Sequence, residues 1–289
     1  MNTTPLRSHG STLAPRSDQA LKRRVLEGLG AGEFCMAYQG IYRVDSGELA
    51  RLEALLRWRH PEFGLLLPGA FQGALADENV MSEVTDFVMN AVSLDIAAWQ
   101  AHGGAHYPVA INVPPSIAAA DGFIERMDGI CAAHGVASSA LEIELSENQD
   151  LARYPSIPKV VQRLRERGVN VAMDDFGTGF ACLAALGPVK FGTVKIAKEL
   201  LAEAPRCPNA CTVFWSVLAL LTRLNVSVIV EGVQTRAQAQ WLAQWPHVLA
   251  QGFHLARPLF GIANVPGARI VTAGNAGAHG RSVPFANAA

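Results

Sequence analysis

The chain has 289 residues, of which 50% are hydrophobic and 17% are charged, as in a globular protein with a large core. Its 24 basic and 25 acidic residues nearly cancel, so the basic excess typical of nucleic-acid binding is missing and we expect no DNA or RNA partner. The five cysteines form no CxxC pair, which favours reduced thiols and a cytoplasmic location. The polar amino terminus lacks the apolar core of a secretory signal, and no apolar run approaches the ~18 residues of a membrane span.

Short runs rich in apolar and β-branched residues recur along the chain. They predict eight strands, at residues 35–44, 51–58, 108–113, 141–147, 169–176, 192–197, 226–233 and 248–254. Apolar residues at intervals of three and four predict helices in three of the intervening segments, 84–100, 157–168 and 211–225. This alternation favours a parallel sheet, and eight strands in roughly 230 residues favour a closed α/β barrel over an open doubly wound sheet.

The two ends of the chain differ in composition from its middle. Residues 1–20 mix Ser, Thr, Pro and Arg without periodicity, and residues 267–289 are rich in Gly and Ala. We therefore predict a flexible amino-terminal segment over 1–20, a barrel over 21–266 and a flexible carboxyl-terminal tail over 267–289.

Polar residues interrupt or end most of the predicted strands. Eight of them lie there: Glu53, Asn112, Glu144, Asp174, Asp175, Lys195, Glu231 and Gln251. In an α/β barrel the carboxyl ends of the strands form one rim, where the chemistry is located, so we expect these side chains to converge. Five carboxylates cannot be balanced by one lysine, and their oxygen atoms suit one or two Mg²⁺ or Mn²⁺ ions, with Asp174 shared between two ions.

Simpler interpretations exist for each of these residues taken alone. An acid in a strand is commonly a salt-bridge partner, and two adjacent aspartates are commonly part of a turn. The DFG sequence at 175–177 is also found in protein kinases, but neither a glycine-rich loop nor an HRD segment accompanies it. A structural explanation of the whole set is less plausible than a shared site, because each polar group would need a separate reason to lie in an apolar strand.

Five short motifs occur in a fixed order along the chain. They are EALLRW at 53–58, DDFGTGF at 174–180, VKI at 194–196, EGV at 231–233 and QGF at 251–253. Over residues 20–265 the chain thereby resembles the EAL domain family of bacterial cyclic di-GMP phosphodiesterases. The resemblance implies a TIM-barrel-like (β/α)8 fold with one antiparallel strand. It also implies Mg²⁺- or Mn²⁺-dependent hydrolysis of cyclic di-GMP to linear pGpG, inhibited by Ca²⁺.

The resemblance also implies roles for particular residues. It implies metal binding by six of them: Glu53, Asn112, Glu144, Asp174, Asp175 and Glu231. A catalytic role is implied for Lys195, which would orient the attacking water, and for Glu53. Substrate binding is implied for Arg57, Gln251 and Gln39. Glu147 would support the glycine-rich loop. Members of the family often form dimers through the barrel face near that loop, so the resemblance also implies a homodimer.

Four motifs depart from the family pattern. Ala197 stands where the family has an aspartate after Lys-Ile, and Gln234 stands where it has a glutamate after EGV. Gly40 replaces a proline, which we expect to loosen the first strand, and two prolines follow Asn112. These changes keep two alternatives open: a receptor that binds cyclic di-GMP without cutting it, and a scaffold that binds a protein partner. Another metal-dependent barrel enzyme also remains open.

Overall fold

The computed structural model describes residues 18–146, 151–178 and 182–271. Within these ranges lie ten α-helices: α1 (Asp18–Gly30), α2 (Gln72–Leu75), α3 (Glu78–Ala101), α4 (Pro115–Ala118), α5 (Phe123–Ala133), α6 (Ile157–Glu166), α7 (Cys182–Ala185), α8 (Lys198–Ala202), α9 (Pro208–Arg223) and α10 (Arg236–Leu242). The same ranges contain ten strands: β1 (Phe34–Arg43), β2 (Leu49–His60), β3 (Gly64–Leu66), β4 (Val109–Asn112), β5 (Leu141–Ser146), β6 (Asn170–Phe176), β7 (Thr193–Ile196), β8 (Ser227–Val230), β9 (Leu249–Ala250) and β10 (Leu259–Phe260).

Eight of the strands close into a barrel. Strands β2, β4, β5, β6, β7, β8 and β9 follow one another in parallel. Strand β1 closes the ring between β9 and β2 and runs antiparallel to both. The fold is therefore the predicted TIM-barrel-like architecture, and β1 is the strand that runs against the others.

All eight predicted strands and all three predicted helical segments are confirmed. The two strands that the sequence did not predict are β3 and β10, which add to the edges of β2 and β1. They contain three and two residues. Runs this short carry no measurable alternation of apolar and polar residues, so they have no signal to detect.

Short-range signals explain where several helices begin. Asp77 precedes α3, and its carboxylate accepts hydrogen bonds from the backbone N–H groups of Asn79 and Val80. Thr235 and Gln238 form a reciprocal capping box at the start of α10. These caps satisfy backbone donors that have no partner within the helix, and they fix the first residues of α3 and α10.

A partly buried ion pair lies at the amino-terminal end of the barrel. The Arg51 guanidinium on β2 donates to both carboxylate oxygens of Glu142 on β5, at 2.7 and 3.1 Å. It also donates to Thr193 on β7 and Ser227 on β8. Four strands are thereby joined at the end of the barrel opposite to the rim predicted to carry the chemistry.

Replacing Glu142 by alanine is expected to destabilise the protein without changing the chemistry of the rim. The Arg51 guanidinium would lose its carboxylate partner, and we expect the free energy of unfolding to fall by about 3 kcal/mol, since Arg51 keeps some contact with solvent. Chemical denaturation measures this loss. The double variant Arg51→Met/Glu142→Leu is the control and should recover part of it, whereas a single variant as stable as the parent would contradict the assignment.

The last described residues pack against the barrel. The backbone N–H of Ala105 donates to Arg269, and that of Val271 donates to Gly103. Residues 267–271, which we assigned to the flexible tail, therefore form hydrogen bonds with the loop that follows α3. Residues 1–17 and 272–289 lie outside the described residues, and the domain boundaries stay a prediction.

Candidate active site

The predicted polar residues gather at the carboxyl ends of the parallel strands. Strands β4, β6 and β7 contribute residues at or near their ends, and Glu231 and Gln251 directly follow β8 and β9, whereas Glu53 and Glu144 lie within β2 and β5. Asn112 and Glu144 are direct neighbours across β4 and β5. The convergence expected from strand order is therefore present in the geometry.

Lys195 lies at the centre of this group. Its side chain is 1% exposed, and its Nζ lies within ion-pair distance of four carboxylate oxygens: Glu231 Oε1 at 2.9 Å, Glu144 Oε2 at 3.0 Å, Asp174 Oδ1 at 3.1 Å and Glu53 Oε2 at 3.6 Å. One ammonium group cannot neutralise four carboxylates. The site therefore favours additional positive charge.

The buried charges have strongly perturbed acidities. Burial raises the pKa of Glu144 well above its usual value, against the influence of Lys195. Burial also raises the pKa of Glu231 to about 7. Burial opposes the charge of Lys195, but the surrounding carboxylates outweigh it and hold the pKa of the ammonium well above its usual value. Lys195 thus remains charged, while the carboxylates around it would ionise more readily beside a further cation.

Neutral amides fix Glu53. Asn112 Nδ2 donates to Glu53 Oε1 at 3.2 Å, and Gln251 Nε2 donates to Glu53 Oε2 at 2.5 Å. Gln251 also donates to Gln39 Oε1 at 3.1 Å, and Gln39 donates to the Ala256 carbonyl at 2.8 Å. Gln39 is buried and reaches Glu53 through Gln251, so the predicted role of Gln39 in substrate binding stays a prediction.

A bulge explains how two adjacent aspartates serve one site. Successive residues of a regular strand point to opposite faces. Here the pairing of β6 with β7 shifts register between Met173 and Phe176, and Asp175 adopts a left-handed φ of 58°. Carboxylate oxygens of Asp174, Asp175 and Glu231 consequently all lie within 4.8 Å of one another. Asp174 belongs both to this outer group and to the inner group around Lys195.

The oxygen atoms of the site fit a hard divalent cation. Within the site, three buried oxygen atoms of described residues have no hydrogen-bond donor: Glu144 Oε1, Asp174 Oδ1 and Gln251 Oε1. Asp174 Oδ1 is ion-paired with Lys195 but not hydrogen-bonded to it. Buried acceptors without donors are costly, and a cation held by carboxylate and amide oxygens would relieve that cost. Mg²⁺ and Mn²⁺ prefer such ligands.

Arg57 lies four residues beyond Glu53 on β2, and the alternation along the strand places both on the same face. It is half-buried, and its Nη1 donates to the Leu56 carbonyl at 2.8 Å. Burial lowers the pKa of the guanidinium, although the Glu53 carboxylate opposes that effect. Arg57 is therefore placed on the side of the barrel that carries the carboxylates. Glu147 lies outside the described residues.

The four departures from the family pattern fall in different environments. Gln234 is exposed, and its backbone N–H donates to Gln238 at the start of α10. Ala197 is buried and precedes α8 without a side chain that could cap it. Pro114 and Pro115 begin α4, a position that suits proline because no intrahelical N–H bond is lost. None of these four residues replaces a member of the carboxylate group.

Gly40 is accommodated by a neighbour. It pairs with Leu52 in the middle of β1 and β2, and a methyl group at Gly40 would overlap the ring of Tyr42. The expectation that glycine loosens the first strand stays a prediction. The space without a side chain is filled by the aromatic ring two residues further along the same face.

The fold and site define the class of protein as an α/β barrel with a carboxylate-rich centre at the carboxyl ends of its strands. The model of the EAL domain matches residues 22–258, and the chain belongs to the EAL domain family. A cyclic di-GMP phosphodiesterase, NbdA of Pseudomonas aeruginosa, is 30% identical over 77% of this chain. The match covers 28% of the length of NbdA. The chain spans about a third of the length of the first curated relatives that it matches.

Solved structures support the same relationship. A PaMucR phosphodiesterase in complex with c-di-GMP is 26% identical, with a TM-score of 0.75 over 83% of this chain and 97% of that one. The EAL domain of Mycobacterium smegmatis DcpA is 27% identical, with a TM-score of 0.66 over 80% of this chain and 93% of that one. In the ranges that the structure describes, no helix combines the length and apolar character needed to span a membrane.

Proposed function

We propose that this protein hydrolyses cyclic di-GMP to linear pGpG with the help of Mg²⁺ or Mn²⁺. The observation that carries the proposal is the gathering of Lys195 with four carboxylates at the rim of the barrel. The matches to NbdA and PaMucR support cyclic di-GMP as the ligand. The cytoplasmic location, the homodimer and a protein partner stay predictions.

Each part of the site has a chemical task in this proposal. Bound divalent ions would supply Lewis acidity toward the phosphodiester and would lower the pKa of a bound water. Glu53, Asn112, Glu144, Asp174, Asp175 and Glu231 would hold them. Lys195 keeps a fixed positive charge beside the reacting phosphate, where it orients water and offsets charge in the transition state. Arg57 would bind a phosphate oxygen through its guanidinium fork.

The amide network maintains the geometry on which this chemistry depends. Glu53 can offer both oxygens in a fixed orientation because Asn112 and Gln251 hold one each. A carboxylate held in this way loses little freedom when it binds an ion. We therefore assign Gln39 and the Ala256 carbonyl a supporting role, since they hold Gln251 in turn.

Hydrolysis of cyclic di-GMP by the purified protein tests the proposal directly. With Mn²⁺ we expect pGpG to accumulate, and we expect EDTA or Ca²⁺ in place of Mn²⁺ to stop it, with products separated by chromatography. Glu53→Ala should abolish turnover because it removes an ion ligand and leaves Asn112 and Gln251 without their shared acceptor. Uncut cyclic di-GMP after hours with Mn²⁺ would overturn the proposal.

Ala197 favours a second candidate function, which is a receptor that binds cyclic di-GMP without hydrolysing it. The buried position after Lys195 and Ile196 lacks the carboxylate that the family pattern places there, which is the change expected of a receptor that no longer cuts its ligand. Calorimetry separates the two functions. Micromolar binding of cyclic di-GMP without any product would select the receptor, and product formation would exclude it.

A further inference from the structure

Helix α8 lies between the two turns that carry the outer acids. It begins directly after β7, which is the strand between β6 and β8. The backbone N–H of Ala197 donates to Phe176 at 3.1 Å, and the backbone N–H of Glu231 donates to Ile196 at 3.0 Å. Ala197 is thus hydrogen-bonded to the residue that follows Asp175, and Ile196 is hydrogen-bonded to Glu231 itself.

The helix also packs against a glycine in each turn. Gly177 follows the aspartate pair with a φ of 104°, and a methyl group there would lie 3.0 Å from Leu200 Cγ and would overlap Leu200 Cδ1. Gly232 follows Glu231 with a φ of 67°, and a methyl group there would lie 3.2 Å from Lys198 Cα and would overlap Lys198 Cβ. Both turns therefore approach α8 as closely as a residue without a side chain allows.

Little within α8 itself fixes its position. The helix has five residues, and its N-cap residue Ala197 offers no side-chain acceptor. Isolated helices of this length are unstable, so packing must hold α8 in place. Within α8, the side chain of Leu201 is fully buried in the hydrophobic core. The side chain of Leu200 packs against this core and also contacts Gly177.

We propose that α8 is the spacer that sets the distance between the Asp175 and Glu231 carboxylates, with Leu200 as the positioning residue. One face of the helix limits how far the Gly177 turn can move, and its first turn limits the Gly232 turn. Since Asp174, Asp175 and Glu231 already have oxygens within 4.8 Å of one another, a shift of either turn would spread these ligands. The inference rests on the metal centre assigned under the proposed function.

Binding of Mn²⁺ alone tests this spacer role without any turnover. In Leu200→Ala the Gly177 turn loses its contact, and we expect the affinity of the outer ion to fall 10- to 100-fold by isothermal titration calorimetry, the range seen when residues behind metal ligands are removed. Leu200→Met refills the space and should restore affinity to within about threefold, because methionine adapts to irregular gaps.

Two control variants separate positioning from general destabilisation. Leu75→Ala truncates another partly buried helical leucine, in α2, and Glu199→Ala truncates an exposed side chain of α8 itself. Both should bind Mn²⁺ as the parent protein does. Parental affinity in Leu200→Ala would overturn the spacer role while the metal centre stands, and a parent protein that binds no Mn²⁺ would overturn both.

Discussion

Lys195→Met is expected to reduce turnover of cyclic di-GMP by about 10³-fold and to destabilise the metal-free protein. Methionine keeps the length of the side chain but removes the charge that lies 2.9–3.6 Å from four carboxylates. The catalytic loss follows because a fixed charge beside the reacting phosphate contributes in the transition state. The stability loss follows because the buried carboxylates lose their counterion, which costs about 3 kcal/mol even though some of them can take up protons.

Thermal unfolding in EDTA and in Mn²⁺ measures the stability effect of this change separately from activity. The melting temperature of Lys195→Met should fall in EDTA and should rise more steeply with Mn²⁺ than that of the parent, because the ions then supply the missing charge. Lys190→Met removes an exposed lysine and is the matched control. An unchanged melting temperature in EDTA would contradict the counterion role, and turnover above a tenth of the parental rate would contradict the catalytic role.

Asp174→Asn and Asp175→Asn are expected to differ in the number of ions they lose. Asp174 belongs to the inner and the outer group, whereas Asp175 belongs to the outer group. We expect Asp174→Asn to weaken binding of both ions and to reduce turnover by about 10³-fold. Asp175→Asn should leave one ion bound, and asparagine tolerates the left-handed backbone at this position.

Calorimetric titration with Mn²⁺ distinguishes these two variants through stoichiometry. The parent should bind two ions, Asp175→Asn one ion, and Asp174→Asn should show weak binding throughout. Asp45→Asn, at an exposed turn before β2, serves as the control for loss of one negative charge. Identical isotherms for Asp174→Asn and Asp175→Asn would refute the division into an inner and an outer group.

The convergence of the site could be predicted because it depends on strand order. In a parallel barrel, residues at the ends of different strands meet at one rim whatever the length of the intervening helices. Glu53, Asn112 and Glu231 are therefore brought together although they are far apart in the chain. The resemblance to the EAL family then indicated which of these groups to expect as ligands.

The end of the barrel that a strand residue reaches could not be predicted in the same way. Glu142 and Glu144 are two residues apart on β5, and both are buried. They serve opposite ends of the barrel, since Glu142 pairs with Arg51 and Glu144 with Lys195. Alternation shows that two such residues share a face, but it does not show which end of the barrel each will reach.

The bulge at Asp175 could not be predicted from the sequence pattern either. Two adjacent acids are compatible with a turn, a regular strand or a bulge, and only the last directs both carboxylates to one site. The same limit applies to Gly40, where the sequence indicates a weak point in β1. The sequence does not show that the Tyr42 ring occupies the space beside Gly40.

The position of Lys195 has a consequence for how the protein matures in the cell. An ammonium group carried by the chain itself already offsets repulsion among the acids, so folding need not wait for divalent ions to arrive. Under the proposed metal dependence, depletion of those ions would leave a folded, inactive protein that regains activity when the ions return. Lys195 would thus separate folding of the polypeptide from its activation by metal.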